Sequence, residues 1–265
     1  MTSLASGSRH TLMAWTRTYD EPEPQRVNRW LAQSGVCSRR EAEALIGKGL
    51  VSIDGETVED AGRKILPGQT LTLADAATGA LSASLTLMFH KPVGIVSSQP
   101  EGEQIPAVRL INRSTLWGPG TVIPGRDSRL APIGRLDMDS RGLLIMSEDG
   151  VVAKAVIGPD SDLEKEYRVQ VAGQITTDKM ELLRYGLMLD GRQLKQAQVN
   201  LSGKQTLSFV LKEGRNRQIR RMCELVELEV VDLLRTRVGP ITLGALPEGR
   251  WRPLAPEERA ALIGQ

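Results

Sequence analysis

A short apolar run beside a charged, glycine-bounded segment constrains the fold more than any other part of this 265-residue chain. Residues 143–146 are all apolar, a run long enough for a buried strand and too short for a helix. Residues 147–150 then read as a turn. Upstream, four charged residues lie between Gly134 and Gly142, and Asp137 is among them. The sequence therefore predicts a charged loop that holds a carboxylate rigidly against a buried strand, with an ordinary solvated turn as the alternative interpretation.

Overall charge does not identify a partner, because the net charge is only +2. An RNA partner must therefore be argued from local clusters of basic residues. The two cysteines, Cys37 and Cys223, lie far apart and offer neither a metal-ligand spacing nor a disulfide framework, which fits a reducing compartment. No run of eighteen apolar residues exists, and residues 1–24 lack the apolar core of a signal peptide. We expect a soluble, cytoplasmic protein with no bound metal and no membrane partner.

Residues 25–73 are predicted to form a small domain of two helices and a hairpin. An apolar stripe at helical spacing marks the first helix. Ser38 and Glu41 have the spacing of a capping box, which predicts the start of the second helix. Asp54-Gly55 between two short apolar strands is typical of a tight hairpin turn.

The two predicted helices carry an excess of positive charge, with five basic and two acidic residues between Arg26 and Lys48. Arg39 and Arg40 fall in the first turn of a helix, where the dipole does not favour cations, so an anionic partner such as phosphate is indicated. A solvated helical hairpin is the alternative. The order of a helix, a Ser-Arg-Arg-Glu-Ala helix and an Asp-Gly hairpin resembles the S-four-type RNA-binding domain. This resemblance implies an RNA-docking surface formed by Arg26, Arg29, Ser38, Arg39, Arg40 and Lys48.

The remaining boundaries follow from composition. Residues 1–24, which end in a proline-rich acidic run, predict a disordered tail. Residues 74–84 are rich in Ala, Ser, Thr and Gly and predict a linker to a second domain at residues 85–265. Within that domain, residues 99–130 show little periodicity and a basic cast, and a long irregular segment of this kind is usually functional or disordered.

The central segment resembles the catalytic signature of the RsuA-type pseudouridine synthases, the RsuA/RluB/RluE/RluF family. The matching residues are Gly134-Arg135-Leu136-Asp137, Ser140, Gly142-Leu143-Leu144-Ile145 and Asp149-Gly150. Ser147-Glu148 departs from the pattern, because the family usually has Thr-Asn in this turn. The resemblance implies that Asp137 is the nucleophile and that Arg135 fills the place in the RNA that a flipped base leaves.

Three further segments extend the resemblance. The Lys-Pro-x-Gly sequence at Lys91 is similar to the element that opens the family's catalytic domain, and Lys91 is expected to contact RNA. Tyr167 lies in an alternating strand pattern, where composition alone predicts a core aromatic, but Lys-x-Tyr-x-Val resembles the motif whose Tyr lies against the flipped base. Residues 213–224 resemble a third motif, which implies that Arg220 pairs with Asp137 and that Arg217 contacts RNA. Met-Cys-Glu at 222–224 and residues 233–237 favour the RluF-type branch.

Taken together, the resemblance implies an α+β protein: a small S-four-type (αL) RNA-binding domain, then a catalytic domain on a mainly antiparallel mixed sheet with flanking helices. The implied reaction converts uridine to pseudouridine in ribosomal RNA, most of all the large-subunit (23S-type) RNA. It involves no redox change, so we expect no cofactor, and we expect a monomer. Three alternatives stay open: a substrate in transfer RNA or small-subunit RNA, a catalytically weak RNA-binding assembly factor, and a retaining glycosidase. The chain is 3% aromatic, which disfavours the glycosidase because such clefts stack sugars on aromatic rings.

Overall fold

The computed structural model describes residues 15–119, 122–125 and 128–264, which divide into two units. The first unit contains the described residues up to Ser84 together with Asp149–Val151, and the second contains the rest from Leu85 onward. Within the described ranges, no helix is both long enough and apolar enough to cross a membrane.

The first unit is built from short strands and three helices. Its elements are β1 (Thr16–Thr18), β2 (Gln25–Arg26), α1 (Val27–Gln33), α2 (Arg39–Gly47), β3 (Val51–Ile53), β4 (Glu56–Thr57), β5 (Lys64–Ile65), β6 (Thr70–Leu73) and α3 (Asp75–Ser82). One antiparallel sheet has the order β1-β6-β3-β4, and β2 pairs separately with β5. Val27, Leu31, Ile65 and Leu71 are fully buried in the core. The predicted order of two helices followed by a hairpin is confirmed.

Local sequence explains the start of α2 and the hairpin turn. The Ser38 hydroxyl accepts a hydrogen bond from the Glu41 amide at 3.2 Å, and the Glu41 carboxylate accepts one from the Ser38 amide at 2.6 Å. The predicted capping box is therefore confirmed. Asp54 and Gly55 both have positive φ (50° and 86°), as a two-residue turn matched to the strand twist requires.

Two stretches that composition predicted to lack structure are ordered. β1 pairs with β6, and Tyr19 is buried with its ring edge-on to Trp30 at a centroid distance of 5.3 Å. The disordered tail is therefore wrong for these residues, while residues 1–14 lie outside the described part. The predicted linker contains α3, whose Ala77 is fully buried. Alanine has the strongest helix propensity, and its small side chain permits close packing without a long apolar stripe.

The second unit contains thirteen strands, four α-helices and two 3-10 turns among its described residues. Its strands are β7 (Thr86–Lys91), β8 (Ile95–Val96), β9 (Ile105–Pro106), β10 (Ala131–Ile133), β11 (Arg141–Ser147), β12 (Lys165–Ala172), β13 (Met188–Leu189), β14 (Arg192–Gln193), β15 (Gln198–Gly203), β16 (Thr206–Leu211), β17 (Glu229–Val238), β18 (Ile241–Thr242) and β19 (Trp251–Pro253). Its helices are α4 (Gly150–Ile157), whose first two residues are grouped with the first unit, α5 (Thr177–Arg184), α6 (Gln218–Leu225) and α7 (Pro256–Ile263), with 3-10 turns at Ala107–Leu110 and Arg113–Thr115.

A nine-stranded sheet forms the frame of this unit. Its main order is β15-β16-β12-β17-β11-β7-β19, with β10 paired to β11 and β18 paired to β17. The β11–β17 pair is parallel, and the other pairs of this sheet are antiparallel. The predicted mainly antiparallel mixed sheet with flanking helices is therefore confirmed.

Gly142 permits the parallel contact in the middle of this sheet. It pairs with Arg235 of β17 and has a φ of 113°, in the region that side chains disfavour. A Cβ atom at this position would lie 2.4 Å from the Arg235 carbonyl oxygen. The glycine that closes the charged loop is thus required by the backbone of the neighbouring strand.

Candidate active site

A cavity of about 410 Å³ in the second unit is lined by the charged loop, by β12 and by the start of α6. It gathers most of the site residues that the sequence predicted for the catalytic domain. Asp137, Arg135, Tyr167, Arg217 and Arg220 all line it. These residues lie up to 85 positions apart in the sequence, so the fold brings the three motifs to one place.

The backbone around Asp137 is fixed on both sides by the loop that follows β7. The Ser97 hydroxyl donates to the Leu136 carbonyl at 2.6 Å, and the Leu136 amide donates to the same hydroxyl at 2.9 Å. The Gly94 amide donates to the Met138 carbonyl at 2.8 Å. Asp137 is therefore held between two anchored residues, as a side chain that must meet a reacting atom requires.

Lys91 supports that loop from inside the protein, and its predicted contact with RNA is wrong. The side chain is fully buried, and its Nζ donates to the carbonyls of Pro92 at 2.8 Å and Ile95 at 2.7 Å. Burial lowers the pKa of Lys91 to about 8, although the nearby carboxylates of Asp137 and Asp139 act in the opposite direction. A buried ammonium that is bonded to main-chain carbonyls orders the loop and cannot reach a phosphate.

Arg235, on the neighbouring strand β17, supports the charged loop, a role that the sequence did not predict. It is 2% exposed, and its guanidinium donates to the carbonyls of Leu143 and Gly134, both at 2.7 Å, and of Arg135 at 3.4 Å. The fork of donors thus joins the loop to β11. The sequence signal was a basic residue at the end of an apolar strand, since a guanidinium offers five donors and can bind several carbonyls at once.

The predicted direct salt bridge between Arg220 and Asp137 is wrong. Arg217 lies nearest to the Asp137 carboxylate, with its Nη1 at 3.7 Å from Asp137 Oδ2, and it also forms a two-pronged contact with Asp139 at 3.2 and 2.9 Å. Arg220 contacts Asp139, with Nε 3.3 Å from Oδ2 and Nη2 donating to the Asp139 carbonyl at 2.7 Å. Helical spacing indicated that Arg220 faces the loop, but not which of two nearby carboxylates it meets.

The Asp139 carboxylate therefore organises the two arginines beside Asp137. Burial by itself would raise the pKa of Asp139, but the hydrogen bond from Arg217 and the charges of Arg220 and Arg217 outweigh it, and the pKa lies below its usual value. The Asp137 side chain is 36% exposed at the cavity, so it is not the dry, buried carboxylate that the pairing with Arg220 implied.

Arg217 adopts a backbone conformation that is unusual for an arginine. Its φ of 47° and ψ of 34° lie in the left-handed region, immediately before α6. A non-glycine residue in this region stores on the order of 1–3 kcal/mol of strain, and such residues cluster at functional sites. In this conformation the Arg217 side chain contacts Asp137 and Asp139 of the charged loop.

Tyr167 is half-buried in β12, where it pairs with Phe209 and Arg235 on the neighbouring strands. It packs against two hydrophobic clusters of this unit and also lines the cavity, while its contact with a flipped base stays a prediction. Lys165, two residues earlier on the same strand face, lines the cavity as well. Burial, followed by the charge of Arg235, lowers the pKa of Lys165.

The residues predicted to bind RNA in the first unit lie at its surface, with one exception. The exposed members are Arg26, Arg29, Arg39, Arg40 and Lys48. The Ser38 hydroxyl is engaged at the N-terminus of α2, so Ser38 acts as a helix cap. Among the described residues, no group of three or more His, Cys, Asp or Glu side chains is placed to hold a metal ion.

Comparison with known proteins identifies the class to which this fold and site belong. A family model described as RNA pseudouridylate synthase matches residues 86–225, and a model of the S4 domain matches residues 25–71. The chain belongs to the RNA pseudouridine synthase family and carries an S4 domain before the catalytic domain. The family predicted from the sequence motifs is confirmed, and the protein is an enzyme of this class.

Particular relatives place it near two named groups. It is 34% identical to the dual-specificity RNA pseudouridine synthase RluF of Escherichia coli K12 over 88% of this chain and 76% of the relative. It is 32% identical to the ribosomal large subunit pseudouridine synthase B of Yersinia pestis over 87% of this chain and 72% of the relative. A crystal structure of a pseudouridylate synthase matches with a TM-score of 0.62 and 24% identity, covering 89% of this chain and 99% of the other, which supports the fold.

Proposed function

We propose that this enzyme converts a specific uridine of large-subunit ribosomal RNA to pseudouridine, with Asp137 as the nucleophile. The observation that carries the proposal is the cavity itself, which Asp137, Tyr167, Arg217 and Arg220 line, with Asp139 in contact with both arginines. The names of the relatives, one of which is a ribosomal large subunit enzyme, support this choice of RNA.

Access to the target base requires that it leave the RNA stack, at a cost on the order of a few kcal/mol. Tyr167 offers the aromatic face on which the flipped uracil packs. Arg135, exposed at the edge of the cavity, is suited to occupy the vacated position in the RNA. The Arg217 side chain is 44% exposed and is suited to attract a phosphate beside the flipped nucleotide, whereas Arg220 holds the loop.

The reaction then proceeds as a rearrangement that balances without any other reactant. An Asp137 oxygen bonds to C1′ of the ribose as the N1–C1′ bond breaks, and the uracil keeps the electron pair. The base turns, its C5 bonds to C1′, and the aspartate leaves. The proton on C5 departs through the Tyr167 hydroxyl, and N1 gains a proton. Attack of Asp137 on the base is the alternative first step.

Either step needs the Asp137 carboxylate as the nucleophile. Its side chain is 36% exposed at the cavity, so a flipped nucleotide can reach it, and the Arg217 guanidinium lies 3.7 Å away. The chain thus supplies a carboxylate nucleophile, an aromatic platform and cations.

Mapping of pseudouridines in all cellular RNAs, with and without this protein, tests the proposal. We expect one or a few positions in large-subunit ribosomal RNA to lose the modification, and to regain it when the wild-type gene is restored. Loss confined to transfer RNA or small-subunit RNA would contradict the substrate while leaving the enzyme class intact. An unchanged map would favour the RNA-binding assembly factor.

A further inference from the structure

None of the described residues between β9 and β10 lines the cavity, so the proposed reaction assigns this segment no role. Where the structure describes it, its backbone is anchored to the C-terminal part of the domain. The Trp251 indole donates to the Asn112 carbonyl at 2.8 Å, and the Trp117 amide donates to the Trp251 carbonyl at 2.8 Å. Arg250 also donates to the Ser114 carbonyl. An ordered segment of this kind can present side chains in fixed positions.

The inner side of the segment belongs to the core that carries the catalytic loop. Ala107, Ile111 and Leu130 are buried in the same hydrophobic cluster as Leu136, the residue before Asp137. The segment also leads directly into β10 and then into the charged loop. A partner bound on its outer side would therefore be held by the same rigid body that positions the nucleophile.

The outer side of the segment combines unpaired cations with an exposed aromatic ring. Between residues 104 and 130 the sequence has four arginines and one acidic residue. Arg109 and Arg113 are exposed, and neither forms an ion pair with any residue that the structure describes. Trp117, four residues beyond Arg113, is 40% exposed, and Arg250 adds a further exposed guanidinium beside Ser114.

We propose that this segment is a second RNA-contact surface, which binds unpaired RNA next to the target uridine through Arg109, Arg113 and Trp117. Guanidinium groups contact phosphates, and an exposed indole stacks on an unpaired base whatever its sequence. The excess of positive charge favours RNA over a protein partner, whose surface would need matching carboxylates. The inference rests on the proposed function for the identity of the RNA, and it adds a contact within the catalytic domain.

The test uses the full-length protein and ribosomal RNA purified from cells that lack it. The first variant is Arg109→Gln with Arg113→Gln, and its matched control is Arg192→Gln with Lys204→Gln, which removes two exposed charges elsewhere in the same unit. The dissociation constant is measured over a series of salt concentrations. We expect the first variant to lower the slope of log affinity against log salt by roughly 1.4 to 1.8, because each phosphate contact contributes about 0.7 to 0.9. We expect no change in the control.

The stacking contact is tested separately with Trp117→Ala. This variant is expected to bind the RNA roughly five- to 150-fold more weakly, with an unchanged salt slope, as the loss of one base stack predicts. Ultraviolet crosslinking followed by peptide mapping should place a crosslink on the peptide that contains Trp117 in the wild-type complex. Thermal unfolding of every variant verifies that the fold is intact.

The outcomes separate this inference from the proposed function. If the wild-type enzyme forms pseudouridine in this RNA but the segment variants bind like the control, the segment does not contact RNA and the inference is overturned. If the wild type forms none, the choice of RNA is overturned, while the salt slopes and the crosslink still decide whether the segment binds RNA.

Discussion

Arg220 and Arg221 are adjacent on α6, and replacing each with methionine should have very different effects. The Arg220 side chain is 14% exposed, and it holds the Asp139 carbonyl at 2.7 Å and the Asp139 carboxylate at 3.3 Å. The Arg221 side chain is 32% exposed and binds Asp190 at 2.6 and 3.0 Å. Consecutive helical residues point about 100° apart, so only one of the two reaches the catalytic loop.

The magnitudes follow from these contacts. A hydrogen bond from a charged donor contributes about 1.5–3 kcal/mol, and Arg220→Met removes the bonds that Nη2 donates to the Asp139 carbonyl and the Ser140 hydroxyl of the loop. A displacement of about 1 Å at a nucleophile can cost on the order of 100-fold in rate. The Asp190 side chain is 67% exposed, so its pair with Arg221 is screened by solvent and contributes roughly 0–1 kcal/mol.

Single-turnover rates at saturating RNA, measured beside urea unfolding, check this prediction. We expect Arg220→Met to lower the rate about 100-fold and Arg221→Met to change it little. Arg220→Lys keeps the charge without the fork of donors and should recover only part of the rate, which distinguishes positioning from general positive charge. Equal losses for the two methionine variants, or a destabilised Arg220→Met that keeps the full rate, would refute the reasoning.

Three further outcomes are expected. Arg39→Ala with Arg40→Ala should lower the salt slope of RNA binding by roughly 1.4 to 1.8, as measured by titration; an unchanged slope would mean that the first unit contacts RNA elsewhere. Lys91 has a pKa of about 8 in the folded protein, below its value of about 10.4 in the unfolded chain. Between these two pH values the unfolded state binds more protons, so stability rises with pH. Lys91→Met should lose this rise, as measured by urea titrations. Gly142→Ala should lower the free energy of unfolding by about 3 kcal/mol or more, because Gly142 has a positive φ and contacts the backbone of β17. The control Gly125→Ala should change thermal unfolding little, because a Cβ atom there would meet nothing within 4 Å.

Local chemistry was sufficient to predict most elements and the three motifs of the site. The capping box of α2, the Asp-Gly turn and the apolar run of β11 each depend on residues close in sequence. The identity of the cavity residues could be predicted because the motifs carry recognisable residue types. That they meet in one cavity is a property of the sheet, which places β11 beside β17 and β12.

The errors arose where burial or pairing depends on distant residues. The sequence gives no sign that Lys91 is buried. The carbonyls that accept its hydrogen bonds come from a loop whose path the sequence does not indicate. The partner of Arg220 could not be distinguished because Asp137 and Asp139 lie on the same loop two residues apart. Tyr19 looked like part of a disordered tail because its aromatic partner, Trp30, belongs to a different element.

The assignment of Asp137 as the nucleophile is tested most directly by comparing Asp137→Asn with Asp139→Asn in purified protein. Both substitutions remove one negative charge from the same loop, and both carboxylates contact Arg217. Pseudouridine formation in ribosomal RNA is measured together with RNA affinity and thermal unfolding. We expect no turnover from Asp137→Asn, with fold and affinity retained, and measurable turnover from Asp139→Asn. Appreciable turnover by Asp137→Asn would contradict the account.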